Sequence, residues 1–322
     1  MTNTQLFTEG ILPVLISFAV SVLLSPLFIP FLKKLKFGQY VRDDGPKSHL
    51  KKSGTPTMGG LIILCSVVLT SLVFIKDHHE MVPVLFVTLG FGLIGFLDDY
   101  IKVVMKRSLG LRAWQKIVTQ LLVTGIFCYY LLKSEHFGTD TIIPFYGTVT
   151  MPVYLFVPFL FIAVIGTVNG VNLTDGLDGL ASSVTVCVAT FFTVTALAVG
   201  SGISPITGAV AGSLLGFLVY NVYPASVFMG DTGSLALGGF VAASAFMLKM
   251  PWFILIVGMI YFVESLSVML QVAYFKITHG KRLFKMAPIH HHFELCGWSE
   301  TRIVAVFSII TAMLCLIAYS AW

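Results

Sequence analysis

The stretch LIGFLDDYIKVVMKR, residues 93–107, closes an uncharged run from Val82 to Leu97 with two carboxylates, Asp98 and Asp99. Three basic residues, Lys102, Lys106 and Arg107, follow at once. An apolar segment ending in a basic patch reads as a membrane helix arriving at the cytoplasmic surface. The acid pair is harder to place, because adjacent carboxylates repel each other and are costly beside hydrocarbon.

The rest of the chain repeats the apolar part of this pattern. Hydrophobic residues make up 57% of the sequence and charged residues 11%, with a mean hydropathy of +0.92. A soluble globular domain carries roughly 25% charged residues. Ten apolar segments suggest spanning helices, at 11–32, 58–75, 82–97, 117–132, 151–168, 181–199, 204–220, 235–248, 252–275 and 303–321. A spanning helix needs ~20 residues, so the short third and eighth segments are expected to continue into polar flanks. The expected fold class is therefore an all-α polytopic membrane protein, residues 1–322 forming one domain. The amino end carries Glu9 and no basic cluster before its first apolar run, so no cleaved signal peptide is expected.

Orientation follows from the cations. Three loops hold 17 of the 20 Lys and Arg residues: those after the first, third and ninth segments, the last taken with its edges to Arg302. Only Lys76, Lys133 and Lys249 fall on the other side. Basic loops stay in the cytoplasm, so both termini are expected outside. The net charge of +5 then reflects a basic inner face suited to anionic lipid or phosphate. Nucleic acid is not an expected partner, since no basic, aromatic-bearing soluble domain is present. The five cysteines show no metal spacing and read as unpaired packing residues. On the outer side, residues 141–153 read as a short hairpin around Tyr146 and Gly147.

Acidic and amide residues cluster on the inner side, in DDY (98–100), NGVNLTDGLDGL (169–180), NVYPASVFMGDTGS (221–234) and APIHHHFE (287–294). Asp98 and Asp99 could simply end a helix in water, yet a helix C-terminus disfavours negative charge. Lys102, four residues after Asp98, offsets part of that, and a divalent cation with hard oxygen ligands would offset more. Asn169, Asn172, Asp175 and Asp178 recur every third residue, which on a helix gives one slowly drifting polar face. Gly176 and Gly179 allow close backbone approach. This cluster reads either as a ligand site for a nucleobase and ribose or as a polar turn. Asp231 reads equally as a functional acid or as the N-cap of the eighth helix. His290, His291 and His292 are consecutive, so they cannot easily share one tetrahedral ion and are read as donors to an anion. Glu264 lies inside the ninth apolar segment, where an ionisable group marks function, a transport path, or a local bond to Ser265 or Ser267.

Taken together, GTPTMGG (54–60), FLDDY (96–100), NLTDGLDGL (172–180), FMGDTGSLALGG (228–239) and PIHHHFE (288–294) resemble the polyprenyl-phosphate N-acetylhexosamine-1-phosphate transferases. The HHHFE stretch resembles the muramoyl-pentapeptide branch of that family. The resemblance implies ten helices, outward termini and an active site on cytoplasmic loops of the bacterial inner membrane. It implies transfer of phospho-MurNAc-pentapeptide from UDP-MurNAc-pentapeptide to undecaprenyl phosphate, giving lipid I and UMP with Mg²⁺ as cofactor. Asp231, Asp98 and Asp99 would hold the metal and phosphates. Asn172, Asp175, Gly176, Asp178 and Phe228 would line the uridine pocket. Asn221, Lys102, Lys116, His290, His291 and His292 would lie near the phosphates and sugar, with Lys52, Thr57 and Gln271 around the nucleotide-sugar. A homodimer is a family-level expectation. Asp98 is open between general base, nucleophile and metal-site residue. A rival enzyme would use UDP-GlcNAc. A transporter would show several mid-membrane ionisable groups and an internal repeat, whereas one such group and no repeat are found.

Overall fold

The computed structural model describes residues 2–34, 54–103, 105, 110–134 and 137–322. Lys52 and the loop cations Lys36, Arg42, Lys47, Lys51, Lys106 and Arg107 lie outside the described residues.

Helices dominate, and each predicted apolar segment except the ninth coincides with one. They are α1 (Leu12–Lys34, entered through a helical start from Asn3), α2 (Gly60–Phe74), α3 (Met81–Val103) and α4 (Ala113–Lys133). Then follow α5 (Val153–Thr174), α6 (Leu180–Val199), α7 (Ser204–Asn221), α8 (Gly230–Met247), α9 (Met259–Ile277), the short α10 (Ile289–Leu295) and α11 (Glu300–Ser320). Among the described helices, seven are long and apolar enough to cross a membrane: the unit Asn3–Lys34, α3, α4, α5, α6, α9 and α11. The chain is an all-α, multi-pass membrane protein. Its lipid-facing side is visible as apolar residues left uncovered, such as Leu23 at 71% and Leu27 at 69% exposure on α1 and Leu316 at 66% on α11. Such a surface would aggregate in water and is stable only against hydrocarbon.

Small residues line the closest helix contacts inside a core of Phe, Leu, Ile and Val side chains. Ser17, Ser21 and Ser25 form the buried stripe of α1, and the Ser21 hydroxyl donates to the Ser213 carbonyl of α7 at 2.9 Å. Without a hydrophobic driving force in lipid, helices associate through close backbone packing and such bonds. The eighth segment shows why its apolar run is short. All of α8 except Gly230 and Asp231 is buried, and it packs against α2, α3 and α5. A helix enclosed by protein has no need of lipid-facing bulk, so Gly, Ala and Ser suffice. As expected, the third and eighth helices extend into their polar flanks, α3 to Val103 and α8 back to Gly230.

Close approach is tightest where α3 crosses the start of α8. A Cβ on Gly95 would strike the Asp231 carbonyl, and one on Gly60 of α2 would strike the backbone of Gly233. Backbone cannot rotate out of the way as a side chain can. Gly95→Val is therefore expected to destabilise the protein by about 1–3 kcal/mol, read as a lowered Tm in detergent, with turnover lost alongside. An unchanged Tm would mean that α3 and α8 pack differently.

The expected hairpin is present. β1 (Asp140–Ile143) pairs antiparallel with β2 (Gly147–Thr150), Asp140 opposite Thr150. It holds the far end of the bundle: Ile142 N–H donates to the Lys249 carbonyl at 2.6 Å and Phe145 N–H to the Ala321 carbonyl at 2.9 Å. The Thr150 hydroxyl and the Lys249 ammonium hold the Asp140 carboxyl below its usual range. Gly10, near the amino end, meets Leu197 at the far end of α6. Both chain ends thus gather at the end of the bundle away from Asp98 and Asp231. The ninth predicted segment is broken, into a turn at Pro251–Phe253, a single turn at Ile254–Val257, and α9 after Gly258.

Candidate active site

At the opposite end, three helix ends meet. The end of α3 brings Asp98 and Asp99, the end of α5 brings Asn172, and the start of α8 brings Asp231. Asp99 is what fixes the last of these. Its carboxylate accepts the N–H of Asp231 at 3.2 Å, the N–H of Thr232 at 2.8 Å and the Thr232 hydroxyl at 2.7 Å. The first N–H groups of a helix lack partners within it, and a carboxylate there also meets the positive end of the helix dipole. So α8 is capped, but by an acid 132 residues earlier in the chain rather than by Asp231 itself. Gly230, at φ +73°, turns the chain into the helix, and a Cβ there would crowd Asp99 and Thr57. The motif around Thr57 is tied to the same turn: Gly59 and Gly60 N–H groups donate to the Phe228 and Met229 carbonyls, and Phe228 N–H to the Pro56 carbonyl.

Asp231 is the hub. Lys102 and Lys116 each donate to its Oδ2 at 3.0 Å, and Asn172 Nδ2 donates to its Oδ1 at 2.9 Å. Lys102 also pairs with Asp98, whose Oδ1 accepts the Leu111 N–H at 2.7 Å. Oxygens of Asp98, Asp99 and Asp231 all lie within 4.8 Å of one another, a set that could hold a metal ion. Asp175 stands close by. Burial pushes its carboxyl well above the usual range, the charges of Asp231, Asp99 and Asp178 push the same way, and the Gly230 N–H opposes them. Asp98, Asp99 and Asp231 against Lys102 and Lys116 leave a net negative charge, which attracts a cation. Hard oxygen donors of this kind suit a hard divalent cation rather than a soft transition metal.

The remaining predicted residues divide into those facing this cluster and those building its walls. Asn169, Asn172, Asp175 and Asp178 do not share one helical face, because α5 ends at Thr174. Asn169 turns inward and donates to Gln120 Oε1 at 3.0 Å, away from Asp231. Asp178 is buried and accepts the Ala225 N–H at 3.0 Å. Asn221 is buried with both ends of its amide engaged, accepting from Ser182 and donating to the Val227 carbonyl. These two hold the 222–227 loop. Gln271 Oε1 accepts from the N–H groups of Leu283 and Phe284, tying down the segment before the histidines and lining a groove of about 370 Å³ with Val268 and Arg282. His290 is buried against Gly176, where a Cβ would collide with the imidazole. His291 Nδ1 lies 2.7 Å from Glu294, and His292 Nδ1 accepts the Lys285 N–H at 3.1 Å.

Thr232, Ser234 and Gln120 were not singled out by sequence as site residues. Ser234 accepts a second bond from Asn172 at 2.9 Å. The available signal for Gln120 was its amide within an otherwise apolar run, the same signal that marks Glu264.

Residues 81–249 match the family model of glycosyl transferase family 4. Residues 52–64 match the phospho-N-acetylmuramoyl-pentapeptide-transferase signature 1. A phospho-N-acetylmuramoyl-pentapeptide-transferase of Clostridium botulinum (strain Eklund 17B / Type B) is 55% identical over 309 residues, 95% of this chain and 94% of that protein. Relatives of the same name from Caldicellulosiruptor bescii and Clostridioides difficile (strain 630) are 52% and 49% identical, covering 96% and 98% of both chains respectively.

Proposed function

Because the chain belongs to the phospho-N-acetylmuramoyl-pentapeptide-transferases of glycosyl transferase family 4, we propose a part for each site residue in that reaction. The enzyme is a phospho-sugar transferase: it moves phospho-MurNAc-pentapeptide from UDP-MurNAc-pentapeptide to undecaprenyl phosphate, giving lipid I and UMP. An acceptor phosphate oxygen attacks the sugar-bearing phosphorus, and the bond from that phosphorus to the UMP oxygen breaks. Two anions must meet in line, so the central difficulty is electrostatic. The observation that carries this reading is the convergence of Asp98, Asp99 and Asp231 with Lys102 and Lys116 at one end of a membrane bundle.

Asp231 and Asp98 would hold Mg²⁺, with Asp99 behind them. When bound, the ion spreads the charge of the diphosphate and its leaving group. Lys102 and Lys116 leave Asp231 for phosphate oxygens as substrate arrives, and Asn172, held also by Ser234, keeps Asp231 oriented. Asp175, Gly176, Asp178 and Phe228 form the nucleoside wall, and His290 and His291 meet the phosphate and sugar. An acceptor monoester has a second pKa near ~6 and is mostly a dianion at neutral pH. No proton then has to be removed, and transfer is direct. Asp98 acts as a ligand and partner of Lys102. A phosphorylated Asp98 trapped with nucleotide-sugar alone would refute this. The site faces the cytoplasm of the inner membrane, because Lys102 and Lys116 at this site border a basic stretch of the sequence, and basic stretches stay in the cytoplasm.

The test uses purified protein, undecaprenyl phosphate and Mg²⁺, with UDP-MurNAc-pentapeptide or UDP-GlcNAc, and assays UMP. Release is expected only with the muramoyl nucleotide and lipid together, and chelation with EDTA should stop it. Equal use of UDP-GlcNAc, or undiminished turnover in EDTA, would contradict the assignment.

A further inference from the structure

Glu264 is fully buried in α9, well away from water, and none of the roles above uses it. The nearby serines do not satisfy it: the Ser267 hydroxyl donates to the Glu264 backbone carbonyl, not to the carboxylate. Its neighbour is His290, also fully buried, whose Nδ1 lies 3.1 Å from Glu264 Oε2. Neither carboxylate oxygen of Glu264 and neither ring nitrogen of His290 completes a hydrogen bond among the described residues, so the 3.1 Å approach is a close charge contact and the only polar neighbour each has there. A buried carboxylate inside a membrane helix is costly and persists where it acts.

The three histidines are held in three ways. A carboxylate meets Nδ1 of His290 and of His291, while a backbone N–H meets Nδ1 of His292. What faces one ring nitrogen decides which nitrogen carries the proton. A carboxylate calls for a proton on Nδ1, whereas the Lys285 N–H requires a bare one. His290 and His292 are thus set in opposite tautomers two residues apart. For His290 this leaves Nε2 as the working atom, and Nε2 is turned onto Gly176, in the loop that carries Asp175 and Asp178. An atom at that place can accept a proton in the neutral ring or donate one to a phosphate oxygen in the charged ring.

We propose that Glu264 is a positioning residue for the transfer, holding His290 through Nδ1 so that Nε2 faces the nucleotide-sugar beside the Asp175–Asp178 loop. The proposal rests on the transferase reading for its kinetic consequence and on geometry alone for the placement of the proton. It also accounts for a charged residue at membrane depth without a transport path.

Two measurements on the full chain test it. In steady-state turnover, Glu264→Ala is expected to lose about 10²-fold in kcat with the KM for UDP-MurNAc-pentapeptide changed less than about threefold. Glu264→Gln keeps an acceptor for the Nδ1 proton and should recover activity to within about tenfold of the parent. A purely structural pair would lower Tm while leaving kcat per folded molecule intact, and E264A turning over within about twofold of the parent would overturn the proposal. Separately, ¹⁵N spectra of histidine-labelled protein, assigned with H290Q, should show the His290 proton on Nδ1. A bare Nδ1 would overturn it, and this readout decides the matter if E264A does not fold. Were the parent protein to release no UMP from any nucleotide-sugar, the transferase reading would fall, while the nitrogen spectrum would still decide for or against the pair.

Discussion

Asp231→Asn is expected to reduce turnover by about 10³-fold with its Tm close to that of the parent. The substitution keeps size and shape at the start of α8, where the Asp231 backbone is held by Asp99 and not by its own side chain. Its ion pairs with Lys102 and Lys116 sit at a half-buried surface, the Lys102 side chain being 40% exposed, and such pairs add little to stability. What disappears is one negative charge at the hub of the cluster. The two lysines then lose their common partner and the cation loses a ligand. The measurement is UMP release over a Mg²⁺ titration, alongside a thermal melt. Turnover retained at saturating Mg²⁺ would remove Asp231 from the metal site.

Asp99→Ala should behave differently from its neighbour, losing both fold and function. Asp99 is buried and accepts three bonds from the first turn of α8. An alanine leaves those donors buried without acceptors, at about 1–3 kcal/mol for each unsatisfied group. A lower Tm is therefore expected. Because that turn sets the place of Asp231, kcat should fall by about 10²-fold or more. Asp99→Asn retains one acceptor oxygen, and asparagine is a good N-cap. It should restore most of the Tm and part of the activity. If Asp99→Ala abolished turnover while leaving the Tm untouched, Asp99 would be a ligand only and its capping role would be wrong.

Much of this arrangement was legible in the order of residues. Apolar length gave the helices, because hydrocarbon thickness leaves few choices of span. The short runs at 82–97 and 235–248 were rightly expected to continue into polar flanks, and those flanks carry Asp98, Asp99 and Asp231. What periodicity misplaced was the 169–178 segment. A three-residue spacing assumes that the helix continues, yet α5 stops at Thr174, so Asp175 and Asp178 lie on a loop and Asn169 faces Gln120. Asp231 looked like a possible cap, since Asp next to glycine at a helix start is a local signal. The actual cap comes from α3, and no local pattern reports a partner so far along the chain. Asn221 bonds the Ser182 hydroxyl and the Val227 carbonyl, and Gln271 accepts from the Leu283 and Phe284 N–H groups, contacts that no local pattern reports. Glu264 was conspicuous for its depth, while its partner His290 becomes evident only when α10 is packed against α9.

On this reading Asp98 and Asp231, steadied by Asp99, would hold a single divalent cation where the two phosphates meet. Anomalous scattering from crystals soaked in Mn²⁺, which takes oxygen ligands as Mg²⁺ does, tests it most directly. One peak within ~2.5 Å of carboxylate oxygens from Asp98 and Asp231, and absent in Asp231→Asn, is the result predicted. A peak bound elsewhere, with these carboxylates left to Lys102 and Lys116, would contradict it.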